Sequence, residues 1–159
     1  MTARSIHGHG MRRAAVAMGQ HAVLLVDSAR DNRAMYAEFL RASGFHPIEI
    51  DNTSDALALA VTADAVVTGI RVAGPFDGLQ LVRCLRADDQ TRSKPVIVLT
   101  ACAFHEDERR ARDAGCDVFL AKPCLPAMLA EELRRVLAMR LPRARPVRAT
   151  RTRATRDIA

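Results

Sequence analysis

From residue 21 onward the sequence repeats one pattern: a short apolar run, a polar loop, and a stretch with apolar residues at helical spacing. Continuous apolar runs of this length are typical of strands that are buried on both faces of a parallel sheet. Five such strands alternating with five helices predict an α/β fold with a doubly wound parallel sheet. In such a sheet the functional crevice lies at the carboxyl ends of the strands. The predicted strands are residues 23–26, 47–50, 65–68, 95–99 and 118–121.

The helices are predicted from their capping residues, apolar spacing and stop signals. The first helix is expected to have Asp31 as its N-cap and to end at Gly44. Its expected buried stripe consists of Met35, Phe39 and Ala42. The remaining helices are expected to begin at Ser54 or Asp55, at Asp77-Gly78, at residue 105 and at Pro126, and the one that begins at residue 105 to stop at Gly115.

Positive charge is concentrated at the two ends of the chain. Residues 21–139 hold 14 Lys and Arg against 17 Asp and Glu, whereas residues 140–159 hold seven Arg and one Asp. The formal net charge of +6 therefore does not indicate a nucleic-acid-binding fold. We expect one folded domain over 21–139 and disordered segments over 1–20 and 140–159. The arginine-rich tail keeps the protein soluble, makes weak, nonspecific contact with nucleic acid or an acidic protein, or binds a membrane surface.

Cysteine usage and hydropathy indicate a cytoplasmic protein. No two of the four cysteines (Cys84, Cys102, Cys116 and Cys124) have C-x-x-C spacing, so we expect reduced thiols that serve in packing. No apolar run approaches the roughly 20 residues of a membrane span. The sequence also lacks a nucleophile–base pair and a glycine-rich phosphate loop, so we do not expect an enzyme.

Four segments in a fixed order carry a resemblance to a known family. They are LLVDSARDNR after the first strand, GIRVAGPFDGLQL after the third, KPVIVLTA on the fourth and AGCDVFLAKP on the fifth. With these segments, residues 21–139 resemble the receiver domain of bacterial two-component response regulators. The resemblance implies a flavodoxin-like (βα)5 receiver fold with strand order 2-1-3-4-5 and a role in phosphorelay signal transduction.

The resemblance also implies a phosphorylation site, and this sequence retains only part of it. In the family an acid pair after the first strand holds Mg²⁺, an aspartate that ends the third strand accepts the phosphoryl group, and a Thr or Ser and a Lys bind its oxygens. Asp27, Thr100 and Lys122 match these positions. Ser28 replaces the second acid, and Gly69 stands at the acceptor position. The sequence therefore predicts a degenerate acceptor pocket.

Further expectations concern metal binding, an ion pair, possible substitutes for the acceptor, and the switch-aromatic position. Asp27 is the only remaining acidic ligand position, so we expect Mg²⁺ binding to be weak or absent and no cofactor to be held. We expect Asp27 and Lys122 to form an ion pair between the ends of adjacent strands. Neither Asp64, at the other end of the third strand, nor Asp77, a helix cap, is expected to replace the acceptor, and Phe119 fills the family's switch-aromatic position.

The sequence thus predicts an atypical receiver domain that is not phosphorylated and acts by protein–protein contact. The expected partner is a histidine kinase or another receiver, docked on the fourth helix, the fifth strand and the fifth helix. One alternative is a binder of nucleic acid or another polyanion that acts through the arginine-rich tail, and another is an active phospho-accepting regulator.

Overall fold

The computed structural model describes residues 20–140, which form five strands and five α-helices in alternation. A single turn of 3-10 helix, Ala60–Thr62, follows the second helix. The two predicted disordered segments lie almost entirely outside the described residues, as does the predicted contact of the tail with nucleic acid. In chain order the elements are β1 (Ala22–Val26), α1 (Arg30–Ala42), β2 (His46–Ile50), α2 (Thr53–Leu59), β3 (Ala65–Thr68), α3 (Gly78–Ala87), β4 (Val96–Thr100), α4 (His105–Ala114), β5 (Val118–Ala121) and α5 (Pro126–Arg140).

The five strands form one parallel sheet in the order β2-β1-β3-β4-β5, which confirms the predicted topology. Every residue of β1, β3 and β4 is buried. The two edge strands, β2 and β5, are only partly buried. The three central strands appear in the sequence as continuous apolar runs because both of their faces are covered.

Alternating side chains of the strands divide the core into two clusters. On one face of the sheet, residues such as Leu25 and Ile97 pack with α1 and α5. On the other face, residues such as Leu24 and Val98 pack with α2, α3 and α4. Each large side chain buried in this way contributes about 1.5–3 kcal/mol. The sheet therefore carries helices on both faces, as a doubly wound fold requires.

The buried stripe of α1 differs from the predicted one. Met35, Phe39 and Ala42, the predicted stripe, lie on the exposed side of the helix. Tyr36 and Leu40 are buried instead. Both sets satisfy helical spacing, so periodicity alone does not separate them. The tyrosine ring can be buried because its hydroxyl finds a main-chain carbonyl as a partner.

Two helix starts also differ from the prediction. Asp31 lies in the first turn of α1, whose N-cap is Ala29 and has no side-chain cap. The cap of α2 is Asn52, whose side chain accepts a hydrogen bond from the amide of Asp55 at 2.8 Å. Asp77 caps α3 as predicted. Because residues 51–55 are all of types that cap helices (Asp, Asn, Thr, Ser and Asp), the capping preference alone did not identify the residue that is used.

The predicted helix ends at two glycines are confirmed. Gly44, just after α1, has φ +89°, and Gly115, at the end of α4, has φ +111°. Residues with side chains rarely adopt this left-handed conformation, which glycine adopts at little cost. The two glycines therefore release the chain from α1 and α4 toward β2 and β5.

The four cysteines are free thiols, in agreement with the prediction. Cys116 and Cys124 are buried, whereas Cys84 and Cys102 are partly exposed. Burial raises the pKa of Cys116 to about 11, so its thiolate is scarce at neutral pH. Within residues 20–140, no helix combines the length and the apolar character needed to cross a membrane. The cytoplasmic location stays a prediction.

Candidate functional site

The carboxyl edge of the sheet brings the five predicted site residues together. Asp27 and Ser28 directly follow β1, and Gly69 follows β3, where its amide donates to the last carbonyl of β1 at 3.2 Å. Thr100 ends β4, and its carbonyl accepts from the amide of Lys122, the residue after β5, at 2.9 Å. The strand ends therefore assemble the pocket that the resemblance implied.

Asp27 and Lys122 form the predicted ion pair, with 2.7 Å between Lys122 Nζ and Asp27 Oδ2. The second carboxylate oxygen, Asp27 Oδ1, accepts from the amide of Ala29 at 2.8 Å. The expectation that the pair joins adjacent strands is wrong, because β3 and β4 lie between β1 and β5. The long lysine side chain reaches across their ends. Both oxygens of Asp27 are thus occupied by partners from the protein itself.

The Ser28 hydroxyl connects three loops at this edge. It accepts from the amide of Ala73, in the loop between β3 and α3, at 2.7 Å and donates to the carbonyl oxygen of Asp51 at 3.3 Å. Thr53 adds two bonds to the same loop, from its amide to Ala73 O at 2.9 Å and from its hydroxyl to Phe76 O at 2.8 Å. A serine at a metal-ligand position therefore serves as a structural crosslink between loops.

The backbone at Gly69 does not require a glycine. Its φ lies outside the left-handed region, and a Cβ placed on it would come no closer than 3.6 Å to Leu99 O and Val72 Cγ2. Gly78 is different, because a Cβ there would lie 1.7 Å from the carbonyl oxygen of Gly69. The start of α3 therefore needs its glycine for close packing, whereas the acceptor position could hold a side chain.

Asp64, Asp77 and Thr68 each make a structural contact, and the expectation that neither Asp64 nor Asp77 replaces the acceptor stays a prediction. Asp64 accepts from the amide of Ala22 at 2.7 Å, at the amino edge of the sheet. Asp77 caps α3 through an amide hydrogen bond of 2.8 Å. The buried hydroxyl of Thr68 donates to the carbonyl of the next residue at 3.0 Å and lies against the start of α3. Each of these groups has a structural partner away from Lys122.

The side chains at this edge do not fit a magnesium site. Mg²⁺ prefers near-octahedral oxygen ligation that includes carboxylates. Asp27 provides one carboxylate, which Lys122 neutralises, and the oxygen of Ser28 already accepts a main-chain hydrogen bond. Over the part of the chain that the structure describes, no group of three or more His, Cys, Asp or Glu could hold a metal ion.

Thr100 is buried, whereas Phe119 is only half-buried. The hydroxyl of Thr100 is buried and accepts from the amide of Cys102 at 3.1 Å, which shapes the turn after β4. Phe119 is half-buried and packs against the core cluster on the side of α2, α3 and α4. Phe119, at the predicted switch-aromatic position, is therefore still partly accessible.

Two residues at this edge were missed by the sequence analysis. Arg33 Nη1 donates to the carbonyl oxygen of Asp27 at 2.6 Å, and Arg33 Nε is buried without a hydrogen-bond partner among the described residues. The hydroxyl of Tyr36 donates to Cys124 O at 2.7 Å, and burial raises the pKa of this tyrosine. The one sequence signal that could have drawn attention to Tyr36 is that it is the only tyrosine of the chain. A contact between residues 88 positions apart leaves no local pattern in the sequence.

Residues 23–134 match the family model described as response regulator receiver domain. The polar-differentiation response regulator DivK of Brucella anthropi is 33% identical over 103 residues, which cover 64% of this chain and 83% of that protein. A receiver domain of a sensor histidine kinase from Pseudomonas aeruginosa, solved with a magnesium ion in its active site cleft, is similar in structure, with a TM-score of 0.69 and 29% identity over 75% of this chain and 98% of that one. The chemotaxis protein CheY4 of Vibrio cholerae has a TM-score of 0.68 and 26% identity, covering 74% of this chain and 98% of that one.

Proposed function

The chain belongs to the receiver domain family of two-component response regulators, and we propose that it is an atypical member that is not phosphorylated and acts by protein contact. The observation that carries this proposal is Gly69, which lies at the end of β3, where the family resemblance implies the acceptor aspartate. The backbone there has room for a side chain, so the fold does not require a glycine at the acceptor position.

The chemistry of phosphoryl transfer supports the same proposal. The reaction needs a positioned nucleophile, with metal and lysine charge on the transferring oxygens. The Ser28 hydroxyl donates to the carbonyl oxygen of Asp51, which is not a base, and accepts from the amide of Ala73, so it is a poor nucleophile. Lys122 is already paired with Asp27. The Pseudomonas relative holds magnesium in its cleft. For this chain we propose that magnesium is bound weakly or not at all.

We propose the surface of α4, β5 and α5 as the contact face for a histidine kinase or another receiver. β5 is an edge strand of the sheet, and its Phe119 is only half-buried. On α4, charged residues pair along the helix, for example Glu108 with Arg112 at 2.9 Å. Exposed pairs of this kind contribute little to stability and can exchange partners when another protein docks.

Exposure to a small-molecule phosphodonor with Mg²⁺, followed by intact mass measurement, tests the proposal. We expect no adduct on the wild-type chain. The double substitution Ser28→Asp with Gly69→Asp should form an acid-labile adduct, because it restores a nucleophile and a metal ligand beside Asp27, Thr100 and Lys122. Gly69→Asp alone should react poorly, since the metal would still lack a ligand.

Thermal unfolding gives an independent measurement on the same variants. Mg²⁺ should raise the melting temperature of the double variant, in which three carboxylates repel one another without metal, and should leave the wild-type value unchanged. The control is Ser28→Asn with Gly69→Asn, which has the same shape without charge. An aspartyl-phosphate on the wild-type chain would refute the proposal.

A further inference from the structure

An apolar surface lies on α1 and the start of α5, which we call the α1–α5 face and define by Met35, Phe39, Leu125 and Met128. These are four of the eight large apolar side chains that are exposed in the described part of the chain. A groove of about 790 Å³ lies beside two of them, and Met35 and Leu125 line it together with Tyr36 and Lys122. A cluster of exposed apolar side chains beside a groove marks a candidate interaction site.

Acidic residues without partners flank this apolar surface. Asp31 and Glu38 on α1 and Glu131 on α5 are exposed and form no ion pair or hydrogen bond with any residue in 20–140. Asp31, Met35 and Glu38 are spaced i, i+4 and i+7, so they share one side of the helix. Asp113, on α4, is a comparable acid without a partner at a different place in the fold. The α1–α5 face is therefore apolar, with three exposed carboxylates beside it that form no ion pair within the described residues.

One arginine of the domain, on α5, already contacts the segment that directly follows α1. The guanidinium of Arg134, on α5, lies 5.6 Å from the centre of the Phe45 ring and donates to the carbonyl oxygen of Ser43 at 3.2 Å. Arginine suits such a surface because its aliphatic stem packs on apolar groups while its planar head binds carboxylates and aromatic faces. An apolar face with an acidic rim thus matches an arginine-rich peptide better than a purely apolar one.

We propose that the α1–α5 face is the docking site of residues 141–159 of the same chain. That segment contains six arginines and one acidic residue, and it follows directly after α5. A helix of 15 residues is about 22 Å long. An extended segment of 19 residues spans about 60 Å, so it can return along α5 to the groove. Tethering supplies an effective concentration in the millimolar range, so weak individual contacts are sufficient.

Carbodiimide crosslinking of the full chain tests this docking, because the chain has only two lysines, Lys94 and Lys122. The variant Arg148→Lys keeps the charge of the segment and adds one amine to it. We expect monomeric crosslinks from position 148 to Asp31, Glu38 or Glu131. They should be lost when salt rises from about 50 mM to about 1 M, where the Debye length is about 3 Å. A crosslink between Lys122 and Asp27 in the same sample reports that the domain is folded and that the reagent works.

Matched carboxylate substitutions in the Arg148→Lys chain separate docking from random encounter. Glu38→Gln with Glu131→Gln should cause loss of the crosslink to Asp31, although Asp31 itself is unchanged. Asp113→Asn, which removes the comparable acid on α4, should leave that crosslink intact. Crosslinks to Asp113 as frequent as those to Asp31, or crosslinks found only in dimers at high protein concentration, would overturn the proposal.

Discussion

Two partly buried ion pairs hold opposite edges of the sheet, and their surroundings differ. At the amino edge Arg86 Nη2 lies 2.9 Å from Asp117 Oδ2, with 19% and 25% of the two side chains exposed. At the carboxyl edge Lys122 and Asp27 are 2.7 Å apart, with 18% and 15% exposed. Burial and distance are similar, so the two pairs differ in the identity of the cation and in the hydrogen bonds around it.

Among the described residues, Arg86 makes four hydrogen bonds with its five N–H groups, whereas Lys122 makes one with its three. Besides the ion pair, Arg86 donates to the carbonyl oxygens of Gly115, Arg92 and Lys94 at 2.8, 2.8 and 2.6 Å. The ammonium of Lys122 has three N–H groups, and within the described residues it donates only to Asp27. At the amino edge, Arg86 and Asp117 thus hold α3 against the segments that lead into β4 and β5. The carboxyl edge keeps spare donors, in keeping with the degenerate acceptor pocket that we propose.

The largest loss in the free energy of unfolding is expected from Arg86→Met. The substitution removes the cation that pairs with Asp117 in a partly buried site, together with hydrogen bonds to three carbonyls, so it should cost about 3–5 kcal/mol. Urea unfolding measures this loss. The control is Arg83→Met on the same helix, whose side chain makes one long bond of 3.4 Å to Gln80 and should cost under about 0.5 kcal/mol. Equal losses in the two variants would contradict the special role of Arg86.

A smaller effect is expected at the Asp27–Lys122 pair. Lys122→Ala should cost about 2 kcal/mol because Asp27 is left uncompensated, and Asp27→Asn combined with Lys122→Met should cost less than that single change. A double-mutant cycle should give a coupling energy of about 1–2 kcal/mol. A cycle with no coupling would mean that the two charges, although 2.7 Å apart, do not stabilise the fold.

The sequence was sufficient to predict the sheet because burial on both faces leaves a direct mark in the strands. Val66 and Val98, for example, lie within uninterrupted apolar runs. Helix α1 was harder to predict because exposed Met35 and Phe39 have the same spacing as a buried stripe. Clusters of exposed apolar residues mark candidate interaction sites, and the failure of the pattern on α1 coincides with the α1–α5 face.

The candidate site was predictable as a set of residues but not as a network. Asp27, Thr100 and Lys122 could be located because each closes a strand, and strand ends meet at one edge of a parallel sheet. The bonds of Ser28 could not be predicted, since its partners come from loops far away in sequence. Contacts of this kind depend on tertiary structure and leave no periodic or local pattern.

The smallest effect on stability is expected from Ser28→Ala. Its hydroxyl bonds to Ala73 and Asp51 are exposed to water, which can replace them, so the loss should be about 1 kcal/mol or less. The comparison at the amino edge is Thr91→Val, which removes a buried hydroxyl bond of 2.8 Å to Leu85 O and should cost about 1–2 kcal/mol.

Amide hydrogen exchange distinguishes the local role of the Ser28 hydroxyl from the contribution of the Thr91 hydroxyl to global stability. In Ser28→Ala the Ala73 amide loses its acceptor, so its exchange should accelerate while global stability changes little. Thr91→Val should lower global stability and leave local opening at Ala73 unaltered, because its partner lies at the other edge of the sheet. If exchange at Ala73 is the same in Ser28→Ala and wild type, then the hydroxyl does not hold the loop. The hydrogen bonds from Thr53 would then be sufficient to position the segment that follows β3.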